Sequence, residues 1–201
     1  STPKASLVPT SNNAQVLCEG AALQPIEYLL SNATTYSFSW TTIQPSGFTV
    51  VYNNTTNTLV ISGNADNVSQ QTVYNYTLIP QNQTNGCTGS ALTGQITVNA
   101  DSELMLSSAN NIQTICEGSA IDDIVYSLGG DATNVSISGA ASSWMSANVN
   151  AGVVIISGSP TANITSITDY NYSITTTGGS CVQKTLNGTI EVTPSPSISL
   201  N

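Results

Sequence analysis

The sequence carries little charge and lacks several reactive side chains. Of its 201 residues only 6% are charged and none is histidine, and the two cations, Lys4 and Lys184, face eleven carboxylates, for a net charge of -9. Nucleic acids and anionic membrane surfaces are bound by clustered cations, so neither is an expected partner. Without histidine, a serine or cysteine nucleophile lacks its usual base. We therefore expect no enzymatic activity and no catalytic residue.

Long apolar runs are also missing. No stretch approaches the roughly 18 to 20 apolar residues that cross a bilayer, so we expect no membrane insertion. The first ten residues, STPKASLVPT, lack the apolar segment of a signal peptide. The chain therefore reads as a mature secreted chain or a fragment of one. The last stretch resembles the first, and we interpret residues 194–201 as the start of a following repeat or a linker.

Hydroxyl groups and an internal repeat are what the sequence has in abundance. Serine and threonine together number 55. The stretch NNAQVLCEG at 12–20 agrees at six positions with NNIQTICEG at 110–118, which lies 98 residues further on. About seven blocks match in the same order, among them LVISG with VIISG and YNYTL with YNYSI. Duplication of this kind predicts two domains, 1–99 and 100–193.

The matched blocks have the pattern of β-strands. Large residues alternate with serines in YSFSW and VSISG, and in the stretch that begins at Val73 the larger Tyr74, Tyr76 and Leu78 should share one face. Short strands separated by glycine-rich turns predict an all-β chain of two tandem immunoglobulin-like β-sandwich domains, with a closed barrel as the alternative. In the first copy we expect strands at 5–9, 25–30, 35–40, 48–52, 58–62, 73–80 and 93–98.

Four cysteines in this lysine-poor chain indicate an oxidising compartment, the alternative being four buried thiols. Three pairings are possible. Because the repeat favours one bridge inside each copy, we predict disulfides between Cys18 and Cys87 and between Cys116 and Cys181. The two loops would have similar lengths. On this pairing each bridge would stabilise its own domain by restricting the unfolded chain.

Two other sets of side chains are candidate binding groups. Calcium prefers carboxylate, amide and carbonyl oxygens. No other cofactor is expected. The candidate calcium ligands are Asp101, Glu103, Glu117, Asp122 and Asp123. Exposed aromatic rings would instead stack on sugars, and the candidates are Tyr36, Tyr52 and Trp144.

The repeated motifs also resemble a known family. The elements CEG with a following I-x-Y, then ISGSPT at 156–161, then YNYSITTTGGSC and G-x-I-x-V look like the tandem Ig-like or PKD-like repeats of large Bacteroidota cell-surface adhesins. These include gliding-type adhesins exported by the type IX secretion system. The first copy departs from the pattern, with ISGNAD in place of the ISG-x-P turn.

The resemblance implies a structural or adhesive module at the cell surface, a segment of a stalk or filament. Its partners would be neighbouring repeats of the same chain, together with surface glycans or other cells. Two alternatives stay open: a carbohydrate-binding module, and a subunit of a self-assembling extracellular fibre. A flat row of exposed rings would favour sugar binding, and long unpaired edge strands would favour the fibre.

Overall fold

β-Strands make up 56% of the chain. The computed structural model describes residues 1–84, 86–160 and 163–196, and these residues contain no α-helix. The chain divides into two units, Ser1–Ala100 and Asp101–Asn201. Each of the four sheets takes its strands from one unit. The predicted start of a following repeat, 194–201, lies mostly outside the described residues.

Unit 1 contains two antiparallel sheets to which one parallel strand is added. The first sheet has the order β1-β3-β6-β5, and the second has the order β2-β9-β7-β4, with the short β8 paired to the end of β7. The strands are β1 Lys4–Leu7, β2 Ala14–Cys18, β3 Ile26–Ser31, β4 Thr35–Trp40, β5 Phe48–Asn53, β6 Thr58–Gly63, β7 Thr72–Asn82, β8 Cys87–Thr88 and β9 Leu92–Asn99.

Unit 2 repeats the order of the two four-strand paths of unit 1. Its sheets have the orders β10-β12-β15-β14 and β11-β17-β16-β13. A short 3₁₀-helix, η1 Ala140–Ser143, takes the place of part of the connection before β14, and no described strand corresponds to β8. The strands are β10 Glu103–Leu106, β11 Ile112–Cys116, β12 Ile124–Gly129, β13 Asn134–Gly139, β14 Met145–Asn150, β15 Val153–Gly158, β16 Thr168–Thr177 and β17 Thr185–Thr193.

The prediction of an all-β chain with two immunoglobulin-like sandwiches is confirmed. The two sheets of each unit match the four-stranded and three-stranded sheets of an immunoglobulin domain, with an extra strand, β2 or β11, added beside the last strand. All seven strands expected in the first copy are present. As expected, Tyr74, Tyr76 and Leu78 share the inward face of β7 and are buried.

The sequence pattern missed β2 and its counterpart β11. In β2 the buried residue is Gln15, whereas the apolar Val16 is 68% exposed. The alternation is therefore inverted, with the polar side chain inside. Ile112 of β11 is likewise 72% exposed. A search for apolar residues on an inward face misses such a strand, because glutamine takes one inward position and leaves only Leu17 or Ile115 as the apolar inward residue.

A tyrosine pair crosses the core of each unit. Tyr28 of β3 and Tyr76 of β7 lie in opposite sheets, and their hydroxyl groups are 3.0 Å apart. Their rings meet edge to face with centroids 6.4 Å apart. In unit 2, Tyr126 and Tyr172 are in the same positions, with hydroxyl oxygens separated by 3.2 Å. All four side chains are fully buried.

The repeated glycine of the last strand makes room for this pair. A Cβ atom added at Gly94 would lie 2.2 Å from the hydroxyl oxygen of Tyr76, and one added at Gly188 would lie 2.3 Å from that of Tyr172. Real Cβ atoms do not approach other atoms so closely. The glycines therefore follow from the position of the tyrosine rings, which explains the recurrence of G-x-I-x-V in both copies.

We expect Gly94→Ala and Gly188→Ala each to lower the free energy of unfolding of its own unit by about 1 to 3 kcal/mol, because a tightly packed core must shift to admit the methyl group. Urea unfolding followed by tryptophan fluorescence measures the change. Gly129→Ala is the matched control, since the nearest atom to its Cβ would be a Glu103 carboxylate oxygen at 3.2 Å on a flexible side chain. Equal stability of all three variants would contradict this account.

Candidate functional site

The repeated stretch that begins with two asparagines fastens β2 and β11 to their units. The Gln15 amide donates hydrogen bonds to the carbonyl oxygens of Asn12 and Gln24, at 2.9 and 2.8 Å, and its oxygen accepts from the Gln24 N–H. Asn13 donates to the Thr93 carbonyl of the last strand at 2.9 Å. These hydrogen bonds add to the apolar contact of Leu17, which packs partly buried against the core on the same face of β2 as Gln15.

Unit 2 uses the same bonds. Gln113 donates to the carbonyl oxygens of Asn110 and Asp122, and its oxygen accepts from the Asp122 N–H at 2.9 Å. Asn111 donates to the Asn187 carbonyl at 3.0 Å. The fold thus explains the repeated asparagines and glutamine, because their hydrogen bonds hold neighbouring segments of the unit together.

The CEG motif forms a tight turn that holds a distant loop. Gly20 and Gly118 have φ values of 71° and 76°, a conformation that favours glycine. The Glu19 carboxylate accepts a hydrogen bond from the Val68 N–H at 2.9 Å. The Glu117 carboxylate accepts one from the Ile164 N–H at 3.1 Å, and this bond is the main cause that lowers the Glu117 pKa. Both glutamates anchor the loop before the long strand, β7 or β16.

The cysteines of unit 1 lie at opposite ends of the sandwich. Cys18 pairs with Asn99, the last residue of β9, whereas Cys87 pairs with Asn82 at the far end of β7. Because Thr72 of β7 pairs with Val98 next to Asn99, the two cysteines are separated by about ten residues of strand, roughly 30 Å at 3.3 Å per residue. A disulfide needs Cα atoms within about 7 Å.

Unit 2 separates its cysteines in the same way. Cys116 pairs with Thr193, the last residue of β17, and Cys181 lies in the connection between β16 and β17 at the other end. Nine residues of β16, again roughly 30 Å, separate these ends.

The chemical states agree with this geometry: Cys18 and Cys181 are disulfide-bonded, Cys116 is an exposed free thiol, and Cys87 is an exposed thiol. The predicted bridges Cys18–Cys87 and Cys116–Cys181 are therefore wrong. One disulfide is present, rather than one inside each copy.

The five candidate calcium ligands are not brought into one place. Asp101 accepts from the Val182 N–H, and Glu103 pairs with Gly129 in the sheet, so both lie at one end of unit 2. Asp122 and Asp123 precede β12, about 20 Å further along the sheet. Among the described residues, no three His, Cys, Asp or Glu side chains are grouped closely enough to hold a metal ion. Calcium binding stays a prediction.

Two carboxylates that the sequence pattern did not indicate, Asp66 and Asp131, each accept several hydrogen bonds. Asp66 accepts from the Ser46 N–H and hydroxyl, from the Gly47 N–H and from the Tyr74 hydroxyl. Burial raises the pKa of Asp66, but these donors outweigh burial and hold the pKa below its ordinary value of 3.8. In the sequence, nothing distinguishes Asp66 from the other polar residues of its loop.

Unit 2 has such an aspartate at a different position, because Asp131 follows β12 whereas Asp66 follows β6. Asp131 accepts from the Ser102 hydroxyl at 2.8 Å and from the N–H groups of Ser180 and Cys181 at 2.5 and 2.9 Å. Burial again raises the pKa of Asp131, and these donors, together with the backbone N–H of Asp131 itself, lower it below 3.8 overall. Each aspartate therefore ties a loop to a strand end, and neither is free to act as a base.

The aromatic candidates pack against the cores. Tyr36 and Tyr52 are half-buried in unit 1 and lie against each other, with ring centroids 5.3 Å apart. Trp144 is half-buried in unit 2 and meets Tyr170 edge to face at 5.7 Å. In each unit the candidate rings are therefore partly covered by their own core, and none is a fully exposed ring.

Other aromatic rings border an open groove in unit 1. The groove has a volume of about 550 Å³ and lies between β4 and β5. Its lining residues are Phe38, Ser39, Trp40, Thr42, Gln44, Phe48 and Val50. Trp40 is half-buried and packs edge to face on Tyr76. The equivalent edge of unit 2 carries η1, which contacts both neighbouring strands.

Solved structures share the fold. Domains EC1-4 of Drosophila N-cadherin align with a TM-score of 0.55 and 11% identity, over 98% of this chain and 50% of that chain. Protocadherin gamma B2 domains 1-5 align at 0.50 and 13%, over 98% and 41%. A titin A168169 structure aligns at 0.49 and 9%, over 98% and 100%. No family model and no curated protein matches the chain.

The class that these findings define is a tandem pair of immunoglobulin-like β-sandwich domains. At such low identity the likeness establishes the fold alone. In the part of the chain that the structure describes, no helix is long and apolar enough to cross a membrane.

Acid should destabilise both units through Asp66 and Asp131. Because their folded-state pKa values lie below 3.8, the stability that they contribute is present above about pH 4 and is lost as the pH falls through those folded-state values. We expect Asp66→Asn to lower the free energy of unfolding at pH 6 by about 1 kcal/mol and to reduce the drop between pH 6 and pH 3.

Urea unfolding at the two pH values, followed by tryptophan fluorescence, measures both effects. Asp169→Asn, at an exposed position of β16, is the matched control. An Asp66→Asn chain that loses as much stability on acidification as the unchanged chain would contradict the assignment.

Proposed function

We propose that the chain is a non-catalytic structural or adhesive module of a repetitive extracellular surface protein, a disulfide-containing segment of a stalk or filament. The observation that carries this proposal is the use of the repeated polar residues. The motif NN-x-Q-x-x-CEG recurs because its asparagines, glutamine, glutamate and glycine fasten one strand and one loop in each unit. Selection for a repeated scaffold explains such a motif without a ligand.

The arrangement of the carboxylates supports a non-catalytic role. Asp66 and Asp131 are engaged by backbone N–H groups, and Glu19 and Glu117 anchor loops. A pair of carboxylates for glycoside hydrolysis needs two groups facing one bond. The adjacent Asp122 and Asp123 are exposed and lie just before β12.

The proposed location and source of the protein are based on the resemblance of its repeats to those of surface adhesins and on its disulfide. Repeats of this kind occur in Bacteroidota surface adhesins of the gliding type, which the type IX secretion system exports. The disulfide fits an oxidising, extracellular setting. Neighbouring repeats of the same chain are the proposed partners, and glycans or other cells are the proposed targets of the whole protein.

Carbohydrate binding is a second candidate, favoured by the groove beside Trp40. Its aromatic wall and its amide and hydroxyl groups are suited to a sugar ring. If a sugar binds there, titration with oligosaccharides should change the tryptophan fluorescence of the unchanged chain and of Trp144→Phe, but not that of Trp40→Phe. No change in any of the three chains at millimolar sugar would rule out binding at this groove.

Single-molecule pulling tests the stalk role. A sandwich of about 100 residues should unfold in one step and release roughly 300 Å of chain, since an extended residue spans about 3.3 to 3.6 Å. The full extension should increase after reduction, because a disulfide prevents the residues that it encloses from extending. Unfolding without distinct force peaks would contradict a load-bearing module, and an extension unchanged by reductant would contradict a disulfide under load.

A further inference from the structure

Each unit places one cysteine at the end where its last strand finishes, which we call the exit end. In parallel pairing, Cys18 lies opposite Asn99 and Cys116 lies opposite Thr193. The residue after each cysteine donates its N–H to the carbonyl of the same partner, at 2.9 Å in both units. The two cysteines are therefore structurally equivalent.

Their chemical states nevertheless differ. Cys18 is disulfide-bonded, whereas Cys116 is an exposed thiol. The closest described polar contact of Cys116 is weak, a hydroxyl of Thr193 at 3.9 Å from the sulfur. The same position therefore carries a disulfide in one unit and an accessible thiol in the other.

The second cysteine of each unit, which we call the late cysteine, follows the long strand at the opposite end. Cys87 and Cys181 are the late cysteines, and Cys181 is disulfide-bonded. The roughly 30 Å between the two ends prevents an exit-end cysteine from reaching the late cysteine of its own unit. An exit-end cysteine can therefore form a disulfide only with a cysteine other than the late cysteine of its own unit.

We propose that Cys116 is an attachment point for a disulfide to the late cysteine of a following module. The inference rests on the proposed function in one respect, that further modules of this type follow in the array. Its evidence is the disulfide at the equivalent Cys18 and the exclusion of a partner inside unit 2. The bond would fasten the exit end of one module to the next.

The bond forms by thiol–disulfide exchange. The two thiols give up two protons and two electrons to become one disulfide, and an external disulfide such as oxidised glutathione takes up both and becomes two thiols. The Cys116 thiol is exposed, so the oxidant can reach it.

Controlled oxidation of the full chain tests the proposal. In this experiment, Cys87 of a second copy of the chain serves as the late cysteine that a following module would supply. Concentrated protein is incubated with oxidised and reduced glutathione, separated without reduction, and mapped by mass spectrometry. We expect covalent dimers and longer multimers in which Cys116 of one copy is joined to Cys87 of another. Cys116→Ser should reduce these species at least tenfold.

The matched control moves the thiol along the same strand. The chain with Cys116→Ser and Ile112→Cys has an equally exposed thiol at the start of β11 and should form few multimers. Multimers from this control at the original rate, a Cys116–Cys116 linkage as the main product, or no linkage in the unchanged chain would each overturn the proposal. The pulling experiment would be unaffected, so failure here is distinct from failure of the stalk role.

Discussion

A hydrogen bond between two buried tyrosine hydroxyls joins the sheets of each unit, and the repeated core motifs depend on it. A buried hydroxyl without a partner costs about 1 to 3 kcal/mol, so the pairing stabilises both tyrosines, and in unit 2 the Tyr172 hydroxyl also donates to the Asn111 carbonyl at 3.3 Å. Burial, together with the bond, raises the pKa of Tyr76 and Tyr172 well above the ordinary value of 10.0. The I-x-Y block, the Y-N-Y block and the glycine of the last strand recur together because they build this one contact.

Much of the fold could be predicted from the sequence, because most strands obey a simple rule. Where large residues alternate with serine, threonine or asparagine, as from Tyr74 to Leu78, the inward face is apolar and the strand is found. The rule fails for β2 and β11, whose inward positions hold Gln15 and Gln113. These strands are held by side-chain hydrogen bonds to loops that are distant in sequence, and no local pattern encodes such partners.

The cysteine pairing shows why the candidate site was harder to predict than the fold. Equal spacing in the two copies agrees with a bridge inside each copy, but it agrees equally with bridges that connect one module to another. Strand register excludes a bridge inside the first copy, because it places Cys18 and Cys87 at opposite ends of β7 and β9. Register depends on which strands are neighbours, and the parallel β2 that carries Cys18 was the strand that the pattern missed.

Because the two cysteines of each unit are not joined to each other, the stability of the unit must come from its core. A bridge closing about 70 residues would have stabilised a domain by about 4 kcal/mol through the unfolded chain, and neither unit has one between its own cysteines. Each sandwich must therefore be held by its apolar side chains, its tyrosine pair and the bonds of Asp66 or Asp131. A repeated module built in this way resists unfolding through its core, so its cysteines can change without removing what holds the sandwich together.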